Sequence, residues 1–385
     1  LPGRRRVARR DRGEMKGRKL ALQRVKPLPL ANRKSLSEVG ELLVPTDAEP
    51  VAIDNVLSRQ VAHCAERICE ARANGRAVML IYGAHLIKNG AALILDRLIA
   101  DGWLSHLATN GAGTIHDWEF AWLGRSTECV RSNVASGTFG TWEETGRNIH
   151  LALLAGGIEG LGYGEALGRL IDGDGVDLPA ADELVKLIEA ESAHELTAAR
   201  AELLHAMRGG SVPEGRYELK HRWKEASVVA SAYRHGVPLT VHPGIGYDII
   251  SNHPMFNGAA IGRAAQVDFQ SFAGTLEQLD GGGVLSVGSA IMGPQVFEKA
   301  LSCVNHLRLQ AGRPIVRDHS MYVVDLQDGE NWDWTQGEPP VTSPAYYLRF
   351  CKTYARMGGE MHYLQCDNLA FVQHLFRALA NRNES

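Results

Sequence analysis

The chain has 385 residues, 45% hydrophobic and 22% charged, with 41 Gly and 15 Pro. That composition excludes disorder, collagen-like repeats and a disulfide-built miniature fold. The net charge of −3 is uneven, because Leu1 to Lys19 carries nine Lys/Arg against two Asp/Glu and the remainder is acidic. No apolar run approaches the ~20 residues that cross a bilayer, and the opening residues do not read as a signal peptide, so a cytoplasmic protein without membrane or nucleic-acid partners is expected.

Residues 1–30 read as a basic N-terminal extension without function, with Met15 as a start, and 31–385 as one α/β domain. From Ala77 onward, short apolar runs alternate with helix-period segments, the pattern of a parallel sheet covered by helices on both faces. Strands are expected at 77–82, 104–109, 238–242, 284–287, 321–325 and 361–366. Helices are expected at 91–100, 147–154, 180–207 with a break near Ser192, 224–235, 294–305, 344–357 and 368–380. Between 156 and 235 the strands stop, and a helical insertion with a polar loop at 209–215 is expected to pack on the core. The fold class is a Rossmann-like α/β sheet. The six cysteines are scattered without a C-x-x-C pair, as expected of reduced thiols.

Ligands of open α/β sheets bind beyond the carboxyl ends of the strands, so the turns there are the informative segments. They hold Gly83, His85, Lys88, Asn89 and Gly90 after the first strand, and Thr109, Asn110, Gly111, Gly113, His116 and Asp117 after the second. His242 and Asp248 follow the third strand, Ser289 the fourth, Asp325 and Asp328 the fifth, and Asp367 the sixth. Each turn taken alone also reads as an ordinary strand-to-helix connection capped by Asn, Thr or Ser. Their convergence on one edge favours a site. The loop 325–338 mixes five carboxylates with Trp332 and Trp334, a composition suited to a cationic ligand or to a solvated acidic loop over buried indoles. The stretch 132–147 reads as a lid or an intersubunit arm, or simply as a helix start with Thr141 as N-cap and Glu144 three residues on. His85, His116, His242 and His253 form no compact ligand motif, so no metal site is assigned, and no G-x-S-x-G elbow is present.

In the order and spacing of these turns, from about Ala77 to Ala380, the chain resembles the deoxyhypusine synthase family with its bacterial relatives. Leu86, Ile87 and Gly90 match the family's first NAD-contacting turn, and Thr109, Gly113 and Asp117 match its Thr-Thr-Ala-Gly-Gly-Val-Glu-Glu-Asp turn. Asp248 and Asp367 fall on two further family aspartates. Lys352 stands where the family has its imine-forming Lys, after Phe350-Cys351 instead of Trp-Gly. The family's substrate-contacting His is replaced around Gly293-Pro294-Gln295, so the fold carries over better than the reaction.

The resemblance implies an NAD-dependent enzyme, transferase or oxidoreductase, acting on a small amine or amino-acid-like substrate in a homo-oligomer, with a tetramer expected. His85, Asn89, Gly90, Thr109, Asn110, Gly111, Gly113, Ser289 and Asp367 would hold NAD. His116, Asp117, His242 and Asp248 would position and deprotonate the substrate, Asp325, Asp328 and Trp334 would hold its cationic end, and Lys352 would form the imine. Two rivals stand beside this reading. One is a metal-assisted or acid/base hydrolase or lyase that uses His85, His116 and His242; the other is a non-catalytic nucleotide or polyamine sensor.

Overall fold

The inner strands are apolar on both faces, which is why they read as continuous hydrophobic runs; a sheet covered on both sides requires this. The computed structural model describes residues 19–383. Its central strands are β1 (Val78–Tyr82), β2 (His106–Asn110), β3 (Leu239–His242), β4 (Gly283–Val287), β5 (Ser320–Asp325) and β6 (Glu360–Gln365). They form one sheet in the order β6-β5-β4-β1-β2-β3, with every neighbouring pair parallel. Read from its other edge this is 3-2-1-4-5-6, the strand order of the Rossmann fold, and the direction of winding reverses between β1 and β4. The chain is a Rossmann-like α/β protein.

Val78, Leu80 and Tyr82 of β1 point to one face, which is covered by α1 (Asn55–Ala73), α2 (Ala92–Ala100), α3 (Gly111–Leu123), α4 (Glu143–Gly157) and α5 (Tyr163–Asp172). The same face carries α6 (Ala181–Ala190), α7 (Thr197–Arg208), α8 (Val228–Arg234) and, after β6, α12 (Asn368–Asn383). Met79 and Ile81 point to the other face, against the second half of α9 (Gly258–Leu276), α10 (Met292–Gln310) and α11 (Arg349–Ala355).

Several expectations need correction. The segment 156–235 is not purely helical, since Gly175–Leu178 pairs antiparallel with Gly215–Glu218. Tyr163, Leu167, Leu170 and Leu203 of this segment share one core cluster with Leu80 and Tyr82. Thr141 does not cap α4. Its hydroxyl donates to the Thr138 carbonyl, while the Glu144 carboxylate accepts the Leu30 N–H at 2.7 Å. Residues 1–18 of the expected extension lie outside the described residues, but Leu28 bridges Trp142 and Leu30 is fully buried, so the fold begins before residue 31. Among the described residues no helix is long and apolar enough to cross a membrane.

Candidate active site

The winding reversal places Gly83, just after β1, beside Gly288, just after β4. A Cβ on Gly83 would lie 2.0 Å from the Gly288 carbonyl oxygen, so only glycine permits this approach. Gly288 has φ +62°, open to glycine at little cost. Ser289 follows, and its hydroxyl accepts the Gly293 N–H at 3.1 Å, at the start of the 19-residue helix α10. At Gly293 a Cβ would meet Tyr354, Ser289 and Ile81 within 3.0 Å, which seats the helix tightly on the sheet. A dinucleotide requires a tight glycine turn, close backbone approach and a helix N-terminus for its pyrophosphate. The 288–293 turn supplies the glycine turn and the helix N-terminus on β4, and in these two respects the residues present fit the cofactor. The β1 turn lacks the usual fingerprint.

From Gly83 the chain runs through a short helix (Ala84–Lys88) to Lys88, which lines a cavity of about 240 Å³ with Ala112, Ile115, His116, Phe139 and Asp248. Asn110 caps α3 by accepting the Gly113 N–H at 2.9 Å, and this turns His116 onto the cavity side of the helix. His116 Nδ1 lies 2.7 Å from Ser126 Oγ, whose proton goes to Glu119 Oε2 at 2.5 Å. Glu119 is gripped by Arg33 through two bonds of 2.8 Å and also accepts from Thr145. Since the Ser126 proton is committed to the carboxylate, Nδ1 must carry the imidazole proton and Nε2 is left with its lone pair free. No described residue bonds Nε2. Burial lowers the pKa of His116 to about 4; Glu119 opposes this, and Lys88, Arg33 and His85 reinforce it. His116 is therefore a neutral base at neutral pH.

Asp248 lies against Gly111, where a Cβ would stand 2.1 Å from its Oδ2, and it accepts the Gly244 N–H at 2.8 Å. Burial raises it to about 6, against the lowering effect of that N–H. Thr127 lines the same cavity at φ +70°, strained for a β-branched residue, and its buried hydroxyl has no partner among the described residues.

The expected residues thus divide. His116 and Asp248 meet at the cavity, Gly111 makes room for Asp248, and His85 is exposed one turn before Lys88. Asn110 and His242 end adjacent strands in register, and Ser289 shapes the glycine turn. Others do not line this cavity. Asp117 is fully buried and accepts from Ser227 Oγ, Val228 N and Val229 N, holding the start of α8; burial raises it to about 7. Thr109 is buried with its hydroxyl on the Tyr82 carbonyl, and Gly113 packs on Thr109. Gly90 packs on the Leu42 carbonyl, and Asn89 caps the short helix. Asp367 caps α12 through the N–H groups of Leu369 and Ala370. Asp325 and Asp328 accept backbone N–H groups of their own loop, and Trp334 is buried in the core on the α10 side of the sheet. Lys352 lies 3.4 Å over the Tyr346 ring and 3.6 Å from Glu338, and it lines no part of the cavity.

Arg33, Glu119, Ser126 and Thr127 escaped the sequence reading, because Arg33 and Glu119 stand 86 residues apart and nothing in their local pattern marks the pair. Among the described residues no three His, Cys, Asp or Glu side chains converge to hold a metal.

No family model and no curated protein matches the chain. Among solved structures it is similar to the ternary complex of AgrE with ornithine and NAD+, at 15% identity over 87% of this chain and 34% of that one, with a TM-score of 0.43. It is also similar to apo ArgZ, an arginine dihydrolase from the ornithine-ammonia cycle in Cyanobacteria (14% identity, 86% and 33% coverage, TM-score 0.39). A conserved LOR/SDH protein from Methanococcus maripaludis S2 is similar at 12% identity, over 94% of this chain and 77% of that one, with a TM-score of 0.41. The chain spans about a third of the length of AgrE and ArgZ.

Proposed function

We propose that the protein is an NAD-dependent oxidoreductase that removes hydride from the nitrogen-bearing carbon of a small amino-acid-like substrate. The observation that carries this reading is His116, fixed as a neutral base by the Arg33–Glu119–Ser126 chain in a small cavity that is also lined by Lys88, at the end of the short helix that follows Gly83. NAD bound over Gly83, Gly288 and Ser289 supplies the hydride acceptor. The cavity suits a small metabolite, being below the volume of drug-sized sites. Within it Lys88 faces the substrate carboxylate and Asp248 its ammonium group. His116 Nε2 takes a proton from the water that hydrolyses the resulting imine and returns it to the departing nitrogen. In this reading Lys88 is the lysine of the site, and an imine on Lys352 is not required.

Exposed Ile245, Tyr247, Ile291 and Leu326 ring the carboxyl edge and support assembly into a homo-oligomer, read by native mass spectrometry. Calorimetric titration with NAD, followed by a panel of amino acids and amines monitored through reduced nicotinamide, tests the function. The expected result is saturable NAD binding, with His116→Ala retaining that binding and losing turnover about a hundredfold. A protein that binds no NAD overturns the reading.

A further inference from the structure

We propose that His242, Thr240, His106 and Thr275 form a proton relay running through the sheet, from the carboxyl edge beside the candidate site to a separate cavity at the opposite end. Its purpose rests on the proposed oxidation, which must release the proton of the substrate ammonium before hydride can leave. Its existence rests on geometry alone.

His242 and Thr240 are two residues apart on β3 and project to one face. His106 projects to the same face of β2, two residues before Ala108, which is Thr240's partner in register. Thr240 Oγ1 is 3.2 Å from His242 Nε2 and 3.0 Å from His106 Nε2, and His106 Nδ1 is 2.8 Å from Thr275 Oγ1 of α9. Every link is within hydrogen-bond reach. Phe272 sets its ring edge-on to both imidazoles, at 5.6 Å from His106 and 5.3 Å from His242, and so covers the middle of the line with hydrocarbon. His106 and Thr240 are essentially inaccessible, whereas His242 at one end is 8% exposed and Thr275 at the other is half-buried. His242 ends its strand beside Asn110, and no described residue bonds its Nδ1. Thr275 is half-buried and lines a cavity of about 490 Å³ with Arg72, Arg76 and Ser105.

Neighbouring strands fill this face with Met79, Ile81, Met321 and Val323, so packing alone does not call for four linked polar groups. Burial lowers His106 to about 3 and His242 to about 4, so each is a neutral imidazole with one donor and one acceptor. Two complete bonding orders then exist. In the first, His242 Nε2–H donates to Thr240, Thr240 to His106 Nε2, His106 Nδ1–H to Thr275, and the Thr275 hydroxyl points to the Ser271 carbonyl or water. When His242 Nδ1 accepts a proton from the substrate nitrogen, Nε2 passes its own to Thr240, Thr240 passes one to His106 Nε2, Nδ1 passes one to Thr275, and Thr275 releases one to water. One proton enters, one leaves, no group stays charged, and the line ends in the reverse order. Rotation of the hydroxyls and return of the tautomers restores the first.

The test combines Thr240→Val with the restoring variant Thr240→Ser, and Thr275→Val at the accessible end in case the buried change prevents folding. In the NAD-loaded enzyme with a turned-over amine, Thr240→Val is expected to lower turnover about a hundredfold while NAD affinity is kept, with Thr240→Ser recovering it. Thr275→Val is expected to slow turnover and change its solvent isotope effect. Nitrogen-15 spectra of the imidazoles, read without substrate, are expected to show His106 and His242 exchanging tautomers together in the wild type and locked in Thr240→Val. Variants with wild-type turnover and isotope effect overturn the relay. If no amine is oxidised, the functional reading fails on its own, and the relay is still decided by the spectra: two fixed, independent tautomers refute it.

Discussion

Arg33 and Glu119 meet through two 2.8 Å bonds with side chains 2% and 0% exposed, and the pair both ties residues near the N-terminus to α3 and orients His116. Removing one partner leaves a buried charge without its counter-ion, at a cost of about 3–5 kcal/mol, against a total stability of roughly 5–15 kcal/mol. Arg33→Met keeps most of the side-chain volume over Trp142, whose ring lies 5.7 Å from the guanidinium, but leaves the carboxylate only the Ser126 and Thr145 hydroxyls. Glu119→Leu leaves the guanidinium only the Ser35 hydroxyl at 3.3 Å and the Trp142 ring, without a counter-ion, and returns the Ser126 proton to free rotation. The double variant replaces ions with hydrocarbon of similar size, so its cost should fall below the sum of the single costs by at least about 2 kcal/mol. Urea unfolding of all four proteins at constant slope measures this coupling. Additive single costs would show that the pair is not the buried ion pair that the geometry describes. The same series separates stability from chemistry, because the two variants that carry Glu119→Leu free the His116 tautomer and should lower turnover of the folded protein, whereas Arg33→Met alone should not.

Lys88→Met should lower turnover of the proposed substrate about a hundredfold with little change in unfolding midpoint, while Lys352→Met should not; the reverse pattern would return the imine role to Lys352. Gly293→Ala forces a Cβ against Tyr354, Ser289 and Ile81, and should weaken NAD binding in calorimetry through displacement of α10; unchanged affinity would remove this turn from the cofactor site. Acid should destabilise the fold between about pH 6.5 and 4. Six buried histidines, His106, His116, His150, His221, His242 and His319, have folded pKa values of about 3 or 4, so the unfolded chain binds more protons there. Asp117, Asp248 and Asp268, raised to about 7, 6 and 7, hold protons in the folded state and offset part of this. A net uptake of about three protons on unfolding remains, so stability should fall by about 4 kcal/mol per pH unit near pH 5; thermal midpoints flat across that window would contradict it.

The inner strands were legible because each is a short, largely apolar run closed by Gly, Asn or Asp, as a doubly covered sheet requires, whereas the edge strand Glu360–Gln365 mixes Glu, His and Gln with its apolar residues. Helix α3 was missed because its first residues, Gly111-Ala112-Gly113, read as a turn; in the fold they are the helix start, with Gly111 yielding space to Asp248 and Gly113 to Thr109. Helix α9 was missed because its Gly- and Ala-rich opening hides the period that Phe272 and Leu276 complete. At the site, His116 and Asp248 announced themselves by following strands. Asp117 did so equally, yet it is turned the other way, one residue along the same helix, to hold α8. Position after a strand selects candidates; the 100° step between neighbouring helix residues decides which of them face the ligand.

Asp248 offers a direct measure of what the cavity is for. A carboxylate against the first turn of α3 gains from the helix dipole, yet its pKa is raised to about 6, so loss of water outweighs that gain. Only one N–H donor serves it, from Gly244, and no cation among the described residues pairs with it. In the proposed function a substrate ammonium group would supply the missing charge, and only the ionised carboxylate could receive it. Amine affinity should therefore rise about tenfold per unit as pH climbs toward 6 and level off above it, the sign expected for a group that must lose its proton to bind. In Asp248→Asn the side chain keeps its shape but cannot ionise, so affinity should fall to the low-pH value of the wild type and lose its slope. An unaltered profile in that variant would show that the ammonium group is held elsewhere.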